Sequence, residues 1–308
     1  MRLCHACLSK PAEIFLDYSH RRLCIDCFLK YYEKKVKQTI DKYRMIKVGE
    51  KIGVAVSGGK DSTALIYVLK KLYPSLNLVG IHLNLGIKEY SNHCNEILRE
   101  FIKKLNIPLI EFNLLKQLGF SIHDFEGTEH GKKICSICGT IKRYLLNKIA
   151  YEERINKLAT GHNLDDIVEV IFNCYLQGDV TQLSRISPIT PANHPKLVAR
   201  IKPLCMMTEM ENLLYASYLE LPFRSLSCPL SKGNRSLKQK RLINEKIVQE
   251  IPTFKHMLFK SYLKRIAPYF KTYPNVEIFE CKYCGMPTSK DVCAFCRLTQ
   301  RVKKLIVE

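Results

Sequence analysis

Short apolar runs alternate with longer stretches of helical periodicity through the middle of the chain. Ile52–Val56, Leu78–Leu83, Leu109–Leu114 and Lys157–Thr160 have the length and side-chain content of buried strands. Residues 61–72, 92–105, 139–154 and 164–176 carry the helical pattern between and after them. Strand–helix alternation of this kind predicts an α/β core, a parallel sheet with helices on both faces. Ahead of it, residues 28–47 are rich in Lys, Tyr and Arg and predict a basic helix leading into the core. From about residue 208 the pattern is mainly helical. No apolar run approaches the roughly 20 residues that a membrane helix needs.

The first strand runs straight into Ser57-Gly58-Gly59-Lys60-Asp61-Ser62, and an apolar helical stretch follows. Strand, glycine turn and helix start direct free backbone N–H groups and the positive helix end at one point, which suits an anion. Gly53 and Gly58 have Walker-loop spacing, but Gly59 stands where the lysine belongs and no Lys-Ser/Thr pair follows. The run instead resembles SGGxDS, the signature of the PP-loop ATP pyrophosphatases. That resemblance implies cleavage between the α- and β-phosphates and activation of a substrate oxygen as its AMP adduct.

A length of 308 residues allows a main domain plus appendages. The formal charge is +20, from 49 basic and 29 acidic residues, and this one-sided excess points to a polyanionic partner, nucleic acid first. Met1-Arg2-Leu3-Cys4 opens the chain with no apolar signal region, so a cytoplasmic location and no membrane partner are expected.

In such a compartment 14 cysteines argue for metal rather than disulfides. Cys4-x-x-Cys7 with Cys24-x-x-Cys27, and Cys281-x-x-Cys284 with Cys293-x-x-Cys296, each suit tetrahedral zinc held by four thiolates. Such zinc is structural, because four ligands leave no open position. His5 is not needed as a ligand. Two structural Zn²⁺ ions are therefore expected, one in each terminal knuckle. Redox chemistry is disfavoured, because redox C-x-x-C motifs come singly.

Lys232, Arg235, Lys238, Lys240, Arg241 and Lys246 cluster over residues 232–246. Lys255, Lys260, Lys264, Arg265 and Lys271 follow, interleaved with Phe254, Phe259, Tyr262, Tyr269 and Phe270. Such aromatics either stack on unpaired bases or form the buried face of a helix. Cys94, Cys174 and Cys205 read as core residues. Cys135 and Cys138 form a lone C-x-x-C inside the core, and Cys228 precedes a proline in a loop-like setting after a strand candidate. Three thiolates suffice to hold a [4Fe–4S] cluster by three of its irons, with the fourth free for sulfide. A catalytic persulfide stands level with that reading, and a third zinc site or a structural trio follow.

SGGKDS, the central C-x-x-C with Lys142 beyond it, Gly161-His162-Asn163-Leu164-Asp165-Asp166, the Cys-Pro and the bracketing knuckles together resemble the tRNA 2-thiolation enzymes of the TtcA/TtuA type. The double knuckle resembles the branch that holds TtuA and the cytoplasmic thiouridylases. The resemblance spans essentially the whole chain. It implies a knuckle over 1–28, a basic linker helix over 29–48, a PP-loop core over 49–230, a basic tRNA-binding region over 231–275 and a second knuckle over 276–308. It also implies that Ser57, Gly58, Gly59, Asp61 and Ser62 hold ATP phosphates, with Ala55 and Lys60 in the same set and His82 and Gly161 lining the nucleotide pocket. Cys135, Cys138 and Cys228 would ligate a [4Fe–4S] cluster, which favours the cluster over the persulfide. Lys142 and one of Asp165 and Asp166 would be catalytic, with Mg²⁺ as a further cofactor. The implied activity is ATP-dependent tRNA-uridine 2-sulfurtransfer, with free sulfide or a ubiquitin-like carrier protein as sulfur donor and a homodimer left open. Two rivals are a PP-loop ligase with an amine nucleophile and a zinc-ribbon RNA-binding protein with a degenerate ATP site.

Overall fold

The apolar runs become four adjacent strands of one sheet. The computed structural model describes residues 2–126, 133–224, 228–231, 235–272 and 277–307. A small hairpin, β1 (Ile14–Leu16) and β2 (Arg21–Leu23), precedes helix α1 (Ile25–Lys42). The core opens with β3 (Lys51–Ala55), α2 (Lys60–Leu72), β4 (Asn77–Asn84), α3 (Lys88–Lys104), β5 (Leu109–Asn113) and the short α4 (Leu114–Leu118). It continues with α5 (Ile134–Glu152), β6 (Lys157–Ala159), α6 (Leu164–Gln177), α7 (Val180–Leu183), β7 (Ile189–Thr190), β8 (Ala199–Ile201) and α8 (Glu209–Tyr218). The helices α9 (Arg235–Leu242), α10 (Val248–Glu250) and α11 (Phe254–Ser261) lead to a second hairpin, β9 (Phe279–Glu280) and β10 (Pro287–Thr288), and to α12 (Ala294–Val307).

The six-stranded sheet has the order β5-β4-β3-β6-β8-β7 and is parallel except for β7. The chain builds outward from β3 through β4 to β5, then crosses back to lay β6 on the other side of β3. Strand order therefore reverses between β3 and β6, and the crevice beyond their carboxyl ends is where such sheets take ligands. α2 covers the sheet because Ala64, Leu65, Ile66, Val68 and Leu69 fall on one buried face.

The four expected strands and four core helices are present, with moved ends. α3 begins at Lys88 rather than 92, and α5 begins at Ile134 rather than 139. Cys135 and Cys138 therefore lie on the first turns of a helix, not on a free turn. α1 begins at Ile25 with Cys24 as its N-cap and ends at Lys42, where Arg44 takes a left-handed φ of 51°. The expected boundary at residue 28 thus falls inside a helix that carries part of the knuckle. β7 and β8 were not visible as periodicity, being two and three residues long. A strand candidate was expected before Cys228; Leu221–Arg224, ahead of it, has no strand structure.

Both knuckles dock on the core. Tyr32 of α1 stacks on Tyr215 of α8 at 3.9 Å, and its hydroxyl donates to Asn212 Oδ1 at 2.7 Å. Beside it, the buried Glu211 accepts from Lys35 at 3.0 Å and from the Tyr18 hydroxyl at 2.7 Å. At the other end, Phe295 of α12 stacks on Tyr144 of α5 at 3.8 Å. Cys281, Cys293, Cys296, Phe295 and Val302 share one apolar cluster with Ile134, Ile137, Ile141 and Leu145 of α5.

Within each knuckle the four cysteine sulfurs lie within 4.8 Å of one another: Cys4, Cys7, Cys24 and Cys27, then Cys281, Cys284, Cys293 and Cys296. Backbone N–H groups point at these sulfurs, from Ala6 to Cys4 at 3.4 Å and from Cys293 to Cys281 at 3.2 Å. The donor set and spacing fit tetrahedral zinc. Hydrogen bonds from Ser9 lower the Cys7 thiol to about 5, toward the thiolate that a metal requires.

Candidate functional site

A pocket of about 730 Å³ opens at the β3/β6 crevice. Ala55, Val56, Ser57, Asp61 and Ser62 form one wall. The loop is pinned from inside: Ser57 N–H donates to Ser62 Oγ at 3.1 Å, and Ser62 Oγ donates to Gly59 O at 3.0 Å. Gly58 turns the chain at φ +80°, and a side chain there would also meet Cys94 at 3.0 Å. α2 has no side-chain cap on its first amides, whereas α6 and α8 each carry a capping box. Uncapped amides at a glycine turn suit phosphate oxygens.

Gly161 follows β6 and closes against the same helix start. A Cβ on it would lie 3.1 Å from Ser62 N and 3.2 Å from the Asp61 carbonyl carbon. Only glycine lets β6 come this close to the loop. His82, at the end of β4, is 3 % exposed and lines the pocket. Its Nδ1–H donates to Val56 O at 2.9 Å, leaving Nε2 as an acceptor buried without a partner. Burial lowers its pKa, so the ring is neutral and offers Nε2 to an N–H or O–H of a ligand.

Asp61 accepts from Asn163 Nδ2 at 3.1 Å, Asn212 Nδ2 at 2.8 Å and Lys60 Nζ at 3.1 Å. Lys60 also donates to Glu209 at 2.7 Å; burial works against its charge, but Asp61 and Glu209 outweigh it and raise its pKa. Gly58, Gly59 and Lys60 are not among the residues that line the pocket. Lys60 thus fixes Asp61, and its ammonium is committed to two carboxylates.

The two neighbouring aspartates separate. Asp166 lines the pocket, accepts from the Asn163 N–H in the α6 capping box and pairs with Lys240 at 2.6 Å. Asp165 does not line the pocket. It is 4 % exposed, pairs with the buried Lys255 and accepts from Glu209 N–H at 2.9 Å. Of the two aspartates, one of which was expected to be catalytic, only Asp166 reaches the pocket: one residue along a helix rotates a side chain by about 100°, and here that turns Asp165 into the core. The cap itself is Asn163.

Cys138, Lys142 and Cys228 line the opposite wall, and Cys135 lies one turn earlier with its sulfur 3.9 Å from Leu230 O. Cys138 and Lys142 share a helix face at i, i+4. Burial pushes the Cys138 thiol up, Cys228 and Cys135 add to the rise, and the Lys142 ammonium opposes it. The trio thus shares one electrostatic neighbourhood. Among the described residues only the two knuckles gather three or more ligand atoms within 4.8 Å, so this trio is spaced more widely than ligands of a single ion. Zn–S bonds of about 2.3 Å hold two thiolates at most about 4.6 Å apart. The trio is not gathered as the two knuckles are, and a thiol donor set of wider spacing suits a polynuclear cluster better than a single zinc ion.

Several residues assigned to RNA from the sequence have other duties. Phe259 and Tyr262 are fully buried, and Phe254 and Phe270 pack against the same core. Tyr269, by contrast, is 81 % exposed and able to stack. Lys255 and Lys240 are consumed by Asp165 and Asp166. Lys232 lies outside the described residues, as do the side chains of Arg235, Lys238 and Lys271. Sequence reading missed Arg143, Arg185, Arg200 and Lys202, which also line the pocket. The last two sit on and beside the short strand β8, so no pattern flagged them.

A glycine loop at the switch point of a parallel sheet, facing a wall of thiols, defines a nucleotide-binding α/β protein with sulfur chemistry. The PP-loop domain family matches residues 29–225. The chain is 37% identical over 294 residues to the tRNA-5-methyluridine(54) 2-sulfurtransferase of Pyrococcus horikoshii, covering 96% of this chain and 92% of that one. It is 36% identical over 300 residues to the enzyme of the same name from Thermus thermophilus, covering 97% and 92%. Among solved structures, the U34-tRNA thiolase NcsA from Methanococcus maripaludis, with its [4Fe-4S] cluster, superposes with a TM-score of 0.82 at 28% identity, covering 98% of this chain and 96% of that one. The chain belongs to the PP-loop tRNA 2-thiolation sulfurtransferases.

Proposed function

We propose that this protein is an ATP-dependent tRNA-uridine 2-sulfurtransferase whose sulfur site is built on Cys135, Cys138 and Cys228. The observation that carries the reading is the meeting, in one pocket, of the uncapped α2 amides with Cys138, Lys142 and Cys228.

ATP phosphates would lie on the Ser57–Ser62 loop, with the bare Nε2 of His82 accepting from the nucleotide. The uridine must leave its stack to enter the pocket. Its C2 oxygen attacks the α-phosphorus, the bond to the β-phosphate oxygen breaks and pyrophosphate leaves. Sulfide then attacks C2 and AMP leaves with the oxygen, so the base gains sulfur without any change in its oxidation level. Lys142 sits where a cation offsets charge on the polarised carbonyl or the leaving phosphate. Asp166, facing the same space while paired with Lys240, is the carboxylate that would serve the reaction. Mg²⁺ would be held chiefly by phosphate oxygens, with Asp61 and Asp166 nearest, although each already meets a lysine.

A [4Fe–4S] cluster fits the cysteine trio and, when bound, would supply an iron open to exogenous sulfide. Cys138 and Cys228 would present it to the pocket, and Lys142 would balance its negative charge. The relatives' names point to a uridine in tRNA, position 54 in one set and 34 in another. Such an enzyme would act in the cytoplasm, beside tRNA.

Protein purified without oxygen should carry iron and acid-labile sulfide and thiolate tRNA in an ATP-dependent manner. Cys228→Ala should lose thiolation while zinc content and melting temperature hold. Full activity in a preparation that contains zinc but no iron would revive a persulfide on the same cysteines.

A further inference from the structure

The pocket carries more positive charge than ATP and sulfide account for. Arg143 projects from α5, Arg200 from β8 and Lys202 from just after it, and all three line one side. Their hydrogen bonds go to neutral acceptors. Arg200 Nη2 donates to Arg143 O at 3.2 Å, and Lys202 Nζ donates to Ser187 O at 2.6 Å and Thr190 Oγ1 at 3.2 Å. Arg143 Nη2 reaches Thr140 Oγ1 at 3.5 Å. Asp61 and Asp166, which line the same pocket, are already paired with Lys60 and Lys240. Among the described residues no carboxylate ion-pairs with Arg143, Arg200 or Lys202. Burial lowers the pKa of Arg200 and of Lys202, and the neighbouring cation adds to each drop, Arg143 for Arg200 and Arg200 for Lys202. Gathered cations without counterions are costly unless an anion arrives to meet them.

The ATP phosphates have their own cradle at the α2 N-terminus. β8 lies two strands from β3, across β6. At about 4.8 Å per strand that is about 10 Å away, so this wall faces a second anion. It adjoins Cys138 and Lys142, on the side where the acceptor base must present its carbonyl.

We propose that Arg143, Arg200 and Lys202 form a subsite for the phosphodiester backbone of the RNA strand flanking the nucleotide in the pocket. The inference rests on the tRNA reading above and deepens it. Arginine forks hold phosphate oxygens in a fixed direction. Such contacts set the strand's register without reading its sequence.

The test uses the anaerobic holoprotein and measures tRNA affinity across a salt series, with ATP affinity and thermal melting alongside. Arg143→Gln and Arg200→Gln should each weaken tRNA binding roughly 5- to 10-fold and reduce the salt slope by about one, with ATP affinity held. Arg200→Lys keeps the charge and should keep the slope, and it serves if the glutamine variant does not fold. Unchanged tRNA affinity and slope would overturn the subsite, as would a loss confined to ATP, which assigns the wall to the nucleotide's phosphates. If the parent protein itself does not bind tRNA, the tRNA reading falls and takes the subsite with it. If the parent binds and thiolates while the variants match it, the subsite alone falls.

Discussion

Lys202 shows how much one residue's setting decides. Burial lowers its pKa to about 8, with Arg200 adding to the drop and Cys205 opposing it. The ammonium is present below that value and is lost as pH rises through it, whereas an unfolded lysine stays charged to about 10.5. A folded-state pKa below the unfolded one means that the charge costs stability at neutral pH, and that this cost fades as pH climbs from about 8 toward 10.5. A phosphate bound there favours the ammonium. tRNA affinity should therefore be level below pH 7 and decline beyond pH 8, and Lys202→Arg should flatten the decline. Identical profiles for the two proteins would assign the titration to another group. The same scale explains Asp165 and Asp166. Both are acidic, adjacent and at a helix start, and nothing local separates them. Rotation about the α6 axis sends one to Lys255 and the other to the pocket.

α5 carries the proposed sulfur site at one end and the dock of the C-terminal cysteine knuckle along its length. Cys135 and Cys138 lie on its first turns, and Tyr144, a turn and a half further on, stacks flat on Phe295 at 3.8 Å. Phe295 is 8 % exposed, so deleting its ring removes a core contact. Phe295→Ala should cost about 3 kcal/mol of stability or more. It should also speed alkylation of Cys138 by iodoacetamide in protein stripped of iron, because α5 loses its outer support. An alkylation rate equal to that of the parent protein would show that the dock does not steady the sulfur site. The central strands were legible because each buries a continuous apolar run. β7 and β8 were not, since two or three residues carry no period, and pairing with β6 is what makes β8 a strand.

Across the whole molecule the +20 charge overstates the surface free to meet RNA. Lys240 and Lys255 serve internal ion pairs, and Lys35 is spent on Glu211 in the docking of the first knuckle. Enough basic residues are left for a strong effect. If six to ten phosphates are contacted, tRNA affinity should fall by about 10³ to 10⁵ between about 50 and 200 mM salt. A change under tenfold, read by filter binding or anisotropy, would confine the contacts to the pocket mouth. Among the described residues no helix is long and apolar enough to cross a membrane.

The sequence by itself determined whatever is written in contiguous residues. The glycine loop, the paired cysteine spacings and the apolar runs each specify a local geometry through φ freedom, metal valence or burial, and none needs a distant partner. Tertiary structure decided what depends on direction and neighbours. It set Gly161 against the α2 amides, where no side chain fits. It brought Cys228 from a distant loop to Cys138 and Lys142. It turned Asp165 inward and Asp166 outward, and it ranged Arg143 of α5 with Arg200 of β8, elements far apart in the chain. Such pairings follow from how helices lie on a sheet, and helix placement is fixed by the sum of core contacts rather than by any short stretch of sequence.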